Sequence, residues 1–185
     1  MPGRDMHTTI AARAMIAGAA VLALTTGCGT EIGGQTTSAA PTTPAMDNLL
    51  NPCTDIPDEW LIETGLDPST ERDLVNPTEA SAWRNCGWNS ADQPYRMDLM
   101  SSSRTLDETR NSTSVNILGD TTVGARPALL TRVKSDTTNE TCYVTFPAQQ
   151  GSFTVTVGWL RSDPPQNICD IAVEHATDLE AHLPK

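Results

Sequence analysis

Five cysteines set the first limit on what this chain can fold into. Cys53, Cys86, Cys142 and Cys169 are spread over its C-terminal three quarters, while Cys28 stands apart behind an apolar run. None of the four has C-x-x-C spacing or a histidine at zinc-ligand spacing, so crosslinks are favoured over a structural metal. Four cysteines allow three pairings, and an odd fifth in an exported chain flags a free thiol. The identity of that fifth residue decides the matter.

Met1 to Arg13 carries Arg4 and Arg13 against Asp5, and Ala14 to Leu24 is an eleven-residue run of small and apolar residues. The run is too short to span a bilayer but has the length of a secretory h-region. Thr25, Thr26, Gly27 and Cys28 follow it, placing a cysteine where a small-residue cleavage site ends. This is similar to the lipobox of bacterial lipoprotein precursors, with Thr25 where such boxes usually carry Leu. In that reading residues 1–27 are a lipoprotein signal peptide, and the Cys28 thiol takes a diacylglyceryl group. The alternative is an ordinary signal peptide with an incidental cysteine. No Arg-Arg pair precedes the run, which favours general secretion over a twin-arginine route. Two acyl chains give stable anchoring where one binds reversibly. Residues 28–47 are rich in Gly, Thr, Ser, Ala and Pro, the composition of a disordered tether. As a flexible coil it reaches roughly 25 Å. The folded unit is then residues 48–185, held at the extracytoplasmic face of the cell membrane.

The formal charge of the whole chain is -11, with 23 acidic against 12 basic residues. Loss of Arg4, Arg13 and Asp5 with the signal makes it one unit more negative. An acidic surface repels a phosphate backbone, so nucleic acid is excluded as a partner. No apolar run reaches the length of a membrane-spanning helix.

Secondary structure follows from spacing. Pro57, Asp58 and Glu59 open a short helix through Thr64 that Gly65 ends. A longer helix is expected from about Gln166 to Leu183, with Ile168, Ala172, Leu179 and Leu183 on one stripe. Between them, period-two alternation marks strands. Phe153, Val155, Val157 and Trp159 share one face of Ser152 to Leu160, and Cys142, Val144 and Phe146 one face of Thr141 to Pro147. Ala148 to Gly151 reads as their hairpin loop. Trp83 to Trp88, Tyr95 to Met100 and Ala125 to Val133 are further strands, the first two joined by Asn89 to Pro94. The fold class is α+β: a mainly antiparallel sheet with a short N-terminal helix, a longer C-terminal helix and two disulfides. Pairing Cys53 with Cys86 and Cys142 with Cys169 pins each helix to a strand, each bridge being worth roughly 3 to 4 kcal/mol by the chain-entropy model. The crossed pairing also joins helix to strand, so pattern alone leaves both open.

Asn51-Pro52-Cys53, Cys86-Gly87-Trp88, Cys142-Tyr143-Val144-Thr145-Phe146, Val155-Thr156-Val157 and Ile168-Cys169-Asp170-Ile171-Ala172 carry a resemblance over nearly all of residues 48–185. The chain resembles the actinobacterial lipoprotein family known as domain of unknown function 3558. The resemblance implies pairing of the first two and the last two domain cysteines, Cys53–Cys86 and Cys142–Cys169. It also implies an envelope location in a mycolic-acid-type actinobacterium, and it brings no established activity or catalytic residues.

An enzyme needs an activated group with a partner. His175 and His182 lie seven apart on the last helix with Asp178 a turn from each, and they read as boundary histidines of an amphipathic helix. A general base oriented by Asp178, or a two-histidine metal site, is the functional alternative. Ser101-Ser102-Ser103-Arg104 lacks both G-x-S-x-G and S-x-x-K spacing and reads as a turn after a strand. Asp55, Asp58, Glu59 and Glu63 lack the alternation of a calcium loop. No cofactor motif is present. Among Trp60, Trp83, Trp88 and Trp159, core packing is the expected role, and Trp60, on a helix among carboxylates, is the one ligand-binding candidate. The expectation is a non-catalytic envelope module, joined to the membrane through Cys28, that binds a protein partner or an apolar or glycan ligand. The alternative is a lipid-tethered hydrolase using His175 or His182. A two-lobed solute receptor does not fit the size.

Overall fold

Alternation of large apolar residues with hydroxyl and charged ones builds the sheet that organises this chain. A computed structural model describes residues 49–75, 82–161 and 166–185, all belonging to one compact unit. The expected signal peptide, Cys28 and the tether lie outside the described residues. The elements are α1 (Pro52–Asp55), α2 (Asp58–Glu63), β1 (Leu66–Asp73), β2 (Trp83–Ser90), β3 (Tyr95–Ser102), α3 (Leu106–Arg110), β4 (Val115–Val123), β5 (Arg126–Val133), β6 (Thr141–Ala148), β7 (Gly151–Trp159) and α4 (Ile168–Glu180). The seven strands form one sheet in the order β1-β2-β3-β7-β6-β5-β4, and every neighbouring pair is antiparallel.

One face of this sheet is the core. Leu99 pairs with Val155, and Val155 with Val144, so the apolar positions of β3, β7 and β6 fall in register. Trp88, Met97, Phe146, Phe153 and Val157 extend the layer and are fully buried. Helix α4 lies over β6 and β7 and inserts Ile171, Ala172, Ala176 and Leu179. Full burial of side chains of this size stabilises by about 1.5 to 3 kcal/mol each.

The fold class and the main strands are as the sequence indicates, with three additions besides the single turn of α1 around Cys53. β1 is an edge strand with Leu66 buried at its start and Pro68, Glu71, Arg72 and Asp73 along it, so it shows no alternation. β4, the other edge, carries a bulge between Ile117 and Gly119 that inverts its period midway. α3 is one short turn set by a capping box: Thr105 accepts from the Glu108 backbone N–H, and Glu108 accepts from that of Thr105. Ser101 and Ser102, expected in a turn, are instead the last residues of β3.

Both disulfides have the parallel pairing, Cys53–Cys86 and Cys142–Cys169, with Cα separations of 5.3 and 5.1 Å. Each helix-side cysteine is held in the same way. The Asn51 side chain caps α1 by accepting the Cys53 N–H at 3.2 Å, and the Asn167 side chain caps α4 by accepting the Cys169 N–H at 3.0 Å. An Asn-x-Cys tripeptide therefore starts a helix and presents its cysteine to a buried strand cysteine, Cys86 or Cys142. Two such bridges suit an extracytoplasmic, oxidising compartment. Among the described residues no helix is long and apolar enough to cross a membrane.

Replacing Cys142 and Cys169 together by Ser is expected to lower unfolding stability by about 3 to 4 kcal/mol, the chain-entropy value for a loop of this length. Denaturant unfolding of the two proteins measures it, and an unchanged midpoint would contradict a clamp holding α4 to β6.

Candidate functional site

The residues singled out in the sequence meet where α2 packs beside α4. Trp60 of α2 stacks on His182, with ring centroids 4.3 Å apart and an interplanar angle of 19°. Behind them, His175 is buried at 3 % exposure. Its Nδ1 lies 2.8 Å from Thr64 Oγ1, and its Nε2 lies 2.8 Å from the Tyr95 hydroxyl. Thr64 in turn donates to Asp178 Oδ2 at 2.8 Å. A threonine hydroxyl carries one proton, and the carboxylate receives it, so Thr64 accepts from His175 Nδ1–H. Nε2 is then the unprotonated nitrogen and accepts from Tyr95. The order of protons runs Tyr95 to His175 to Thr64 to Asp178.

This chain of hydrogen bonds joins α2, β3 and α4 and leaves no lone pair of His175 for a substrate. The hydrogen bonding between Asp178 and His175 runs through Thr64 rather than directly. Burial pushes the His175 imidazole down to about 4, against a smaller upward pull from Asp178. A shallow hollow of about 410 Å3 opens beside this latch of hydrogen bonds between α2, β3 and α4, lined by Trp60, Glu63, Thr64, Asp178 and His182. Glu71 lies near Cys53 and Cys86, but both sulfurs are bonded to each other, so no thiolate is present for a metal.

A larger feature lies on the opposite face of the sheet. The positions that alternate with the core are Met100 and Ser102 on β3, Ser152, Thr154 and Thr156 on β7, Tyr143 and Thr145 on β6, and Thr131, Val133 and the buried Leu129 on β5. α3 and the residues around it pass over β5 and β6, so this face is a groove. Its volume is about 440 Å3, between Arg104, Glu108, Thr109 and Ser114 on one side and Met100, Thr131, Tyr143, Thr145 and Thr154 on the sheet. A contiguous hollow of about 370 Å3 shares Met100, Arg104 and Thr154 and ends at Trp83.

The floor of the groove has hydrogen-bonding capacity left over. Thr145 Oγ1 and Thr154 Oγ1 are 2.9 Å apart and buried, and only one of their two protons fits between them. The Thr131 side chain is 2 % exposed and makes no hydrogen bond among the described residues. Arg104 and Glu108 flank the groove with opposite charges, and Glu108 is held low by its Thr105 hydrogen bonds. Sequence reasoning missed this site because Thr and Ser opposite a core face look like solvated strand positions. The signal that could have found it is the Thr105-Leu106-Asp107-Glu108 capping box, which marks a helix crossing back over the sheet.

The latch generates a pH prediction. His175 is depressed in the fold relative to an ordinary value of about 6.5, so the unfolded chain binds its proton first as pH falls. Its contribution is complete above pH 6.5 and is lost as pH falls through about 4, a change on the order of 3 kcal/mol. Denaturant unfolding across this window checks it; His175→Gln should flatten the slope, and an equal slope in the variant would contradict the assignment.

Comparison with curated proteins and with solved structures finds no match. A family model described as "Protein of unknown function (DUF3558)" matches residues 23–182, which takes in Cys28, both disulfides and all seven strands. The chain belongs to that family.

Proposed function

We propose that this protein is a lipid-anchored, non-catalytic binding module of the cell envelope whose groove, roofed by α3, takes a neutral glycan. The observation that carries this reading is the groove's hydroxyl-lined floor, buried at Thr131, Thr145 and Thr154 with donor capacity to spare. Threonine methyls, Met100, Val133 and Tyr143 supply apolar contact among those hydroxyls, and Trp83 lies at one end. That mixture matches a sugar, which presents hydroxyls at its rim and C–H groups on its faces. A protein partner suits a flat, filled sheet face better than a groove.

Anchoring rests on the lipobox-like Thr25-Thr26-Gly27-Cys28 and on the family match beginning at residue 23, ahead of that cysteine. Export rests additionally on the two disulfides. A hydrolase built on His175 is disfavoured by the hydrogen bonds at both its ring nitrogens. One built on His182 would have a tryptophan ring as its neighbour and, among the described residues, no hydrogen-bonded carboxylate.

Calorimetric titration with neutral oligosaccharides released from the protein's own cell envelope tests the binding claim. Thr131→Val, which keeps shape and removes one hydroxyl, is expected to weaken binding roughly tenfold, the value of one lost hydrogen bond. Absence of binding to the unaltered protein at millimolar sugar would contradict it. For location, Cys28→Ser should move the protein from the membrane pellet to the soluble fraction; continued sedimentation with membranes would overturn the anchor.

A further inference from the structure

Beyond the central groove, the same face carries a charged pair. Gly87, Asp98, Thr156 and Tyr143 are register partners across β2, β3, β7 and β6 and form one row. Arg96 Nε donates to Asp98 Oδ1 at 2.6 Å, with the two side chains 18 and 25 % exposed. The pair lies down on the sheet because Gly87 has no Cβ. One placed there would collide with Asp98 Oδ1 and with the Arg96 guanidinium. This glycine is therefore a cradle, and the ion pair is its occupant.

The pair is only partly satisfied. Among the described residues, Asp98 Oδ2 accepts no hydrogen bond and the two Arg96 Nη groups donate none. Burial pushes the Asp98 carboxyl up in spite of the nearby Arg96 and Arg72 guanidiniums. A hollow of about 340 Å3 stands over it, lined by Leu74, Arg96, Asp98, Tyr143, Thr156 and Leu160. Leu74 and Leu160 are 40 and 55 % exposed and give it apolar edges. Tyr143 lines both this hollow and the central groove, so the two meet at its ring.

We propose that Arg96 and Asp98 form a second sugar subsite, so that the open face binds a glycan of at least two units extending past Tyr143. The inference rests on the glycan reading of the central groove. Adjacent hydroxyls of one unit donate to Asp98 Oδ2 and accept from Arg96 Nη, a pairing that needs an acceptor and a donor side by side. The proposed ligand is neutral there: an anion meets the Asp98 carboxylate, and a cation meets the guanidinium groups of Arg96 and Arg72, the second being the register partner of Gly87 on β1.

The test is a length ladder of neutral oligosaccharides, released by mild acid from the protein's own envelope and separated by size, titrated into the full chain. Affinity of the unaltered protein is expected to rise about tenfold between one-unit and longer ligands, the value of roughly one added hydrogen bond to a charged group. In Asp98→Asn and in Arg96→Gln, each of which removes the charge of one partner of the proposed subsite, this gain should fall below about twofold. A gain that survives in either variant, or no gain in the unaltered protein, overturns the second subsite while leaving the central groove standing. No binding at any length overturns the glycan reading and this inference with it.

Discussion

The chain owns enough large apolar side chains to cover one face of its sheet and not two. Of eight aromatic residues, Trp88, Tyr95, Phe146, Phe153 and Trp159 are buried on the face beneath α4. Everything else follows from how the second face is finished with few of them, chiefly Met100, Leu129 and Tyr143. Threonine is the economical answer, because its branched Cβ suits a strand while its hydroxyl tolerates partial hydration. Thr131, Thr145, Thr154 and Thr156 hold the central strands in extended form and leave donors and acceptors facing outward. Core and groove are thus two consequences of one alternation.

That floor is held from both ends of the domain. The disulfides fix α1 to β2 and α4 to β6. On the helical side, Arg126 donates to Glu180 on α4 at 2.8 Å and to the carbonyls of Pro147, Leu183 and Pro184, which ties the C-terminal residues to the sheet. Its guanidinium also sits 5.6 Å from the Phe146 ring centroid. A buried cation is tolerated because every side of it finds an oxygen or a ring. A frame fastened in this way fixes the shape of the groove, and under the proposed glycan reading it would lower the ordering cost of binding.

Period-two and period-3.6 patterns made β3, β6, β7 and α4 legible, since each places most of its large apolar residues on one side, while β2 and β5 showed as runs between turn signals. They failed for β1 and β4, the two edges, where Pro68 and the Leu118 bulge interrupt the alternation. His175 was legible as a residue near the apolar stripe but not as a buried one. Its partners, Tyr95 and Thr64, stand 80 and 111 residues away, and no local pattern connects them. The groove was hidden for a similar reason. Its floor is drawn from four strands and its wall from α3, so only register and the path of a short helix bring Arg104, Thr131 and Thr154 together.

Amide chemical-shift mapping tests the central claim most directly, with unlabelled envelope oligosaccharide added to isotope-labelled protein. The account predicts shifts confined to the open face, centred on Thr131, Tyr143, Thr145 and Thr154 and reaching Asp98. Shifts centred instead on Trp60, Thr64 and His182, with the open face unmoved, would contradict it.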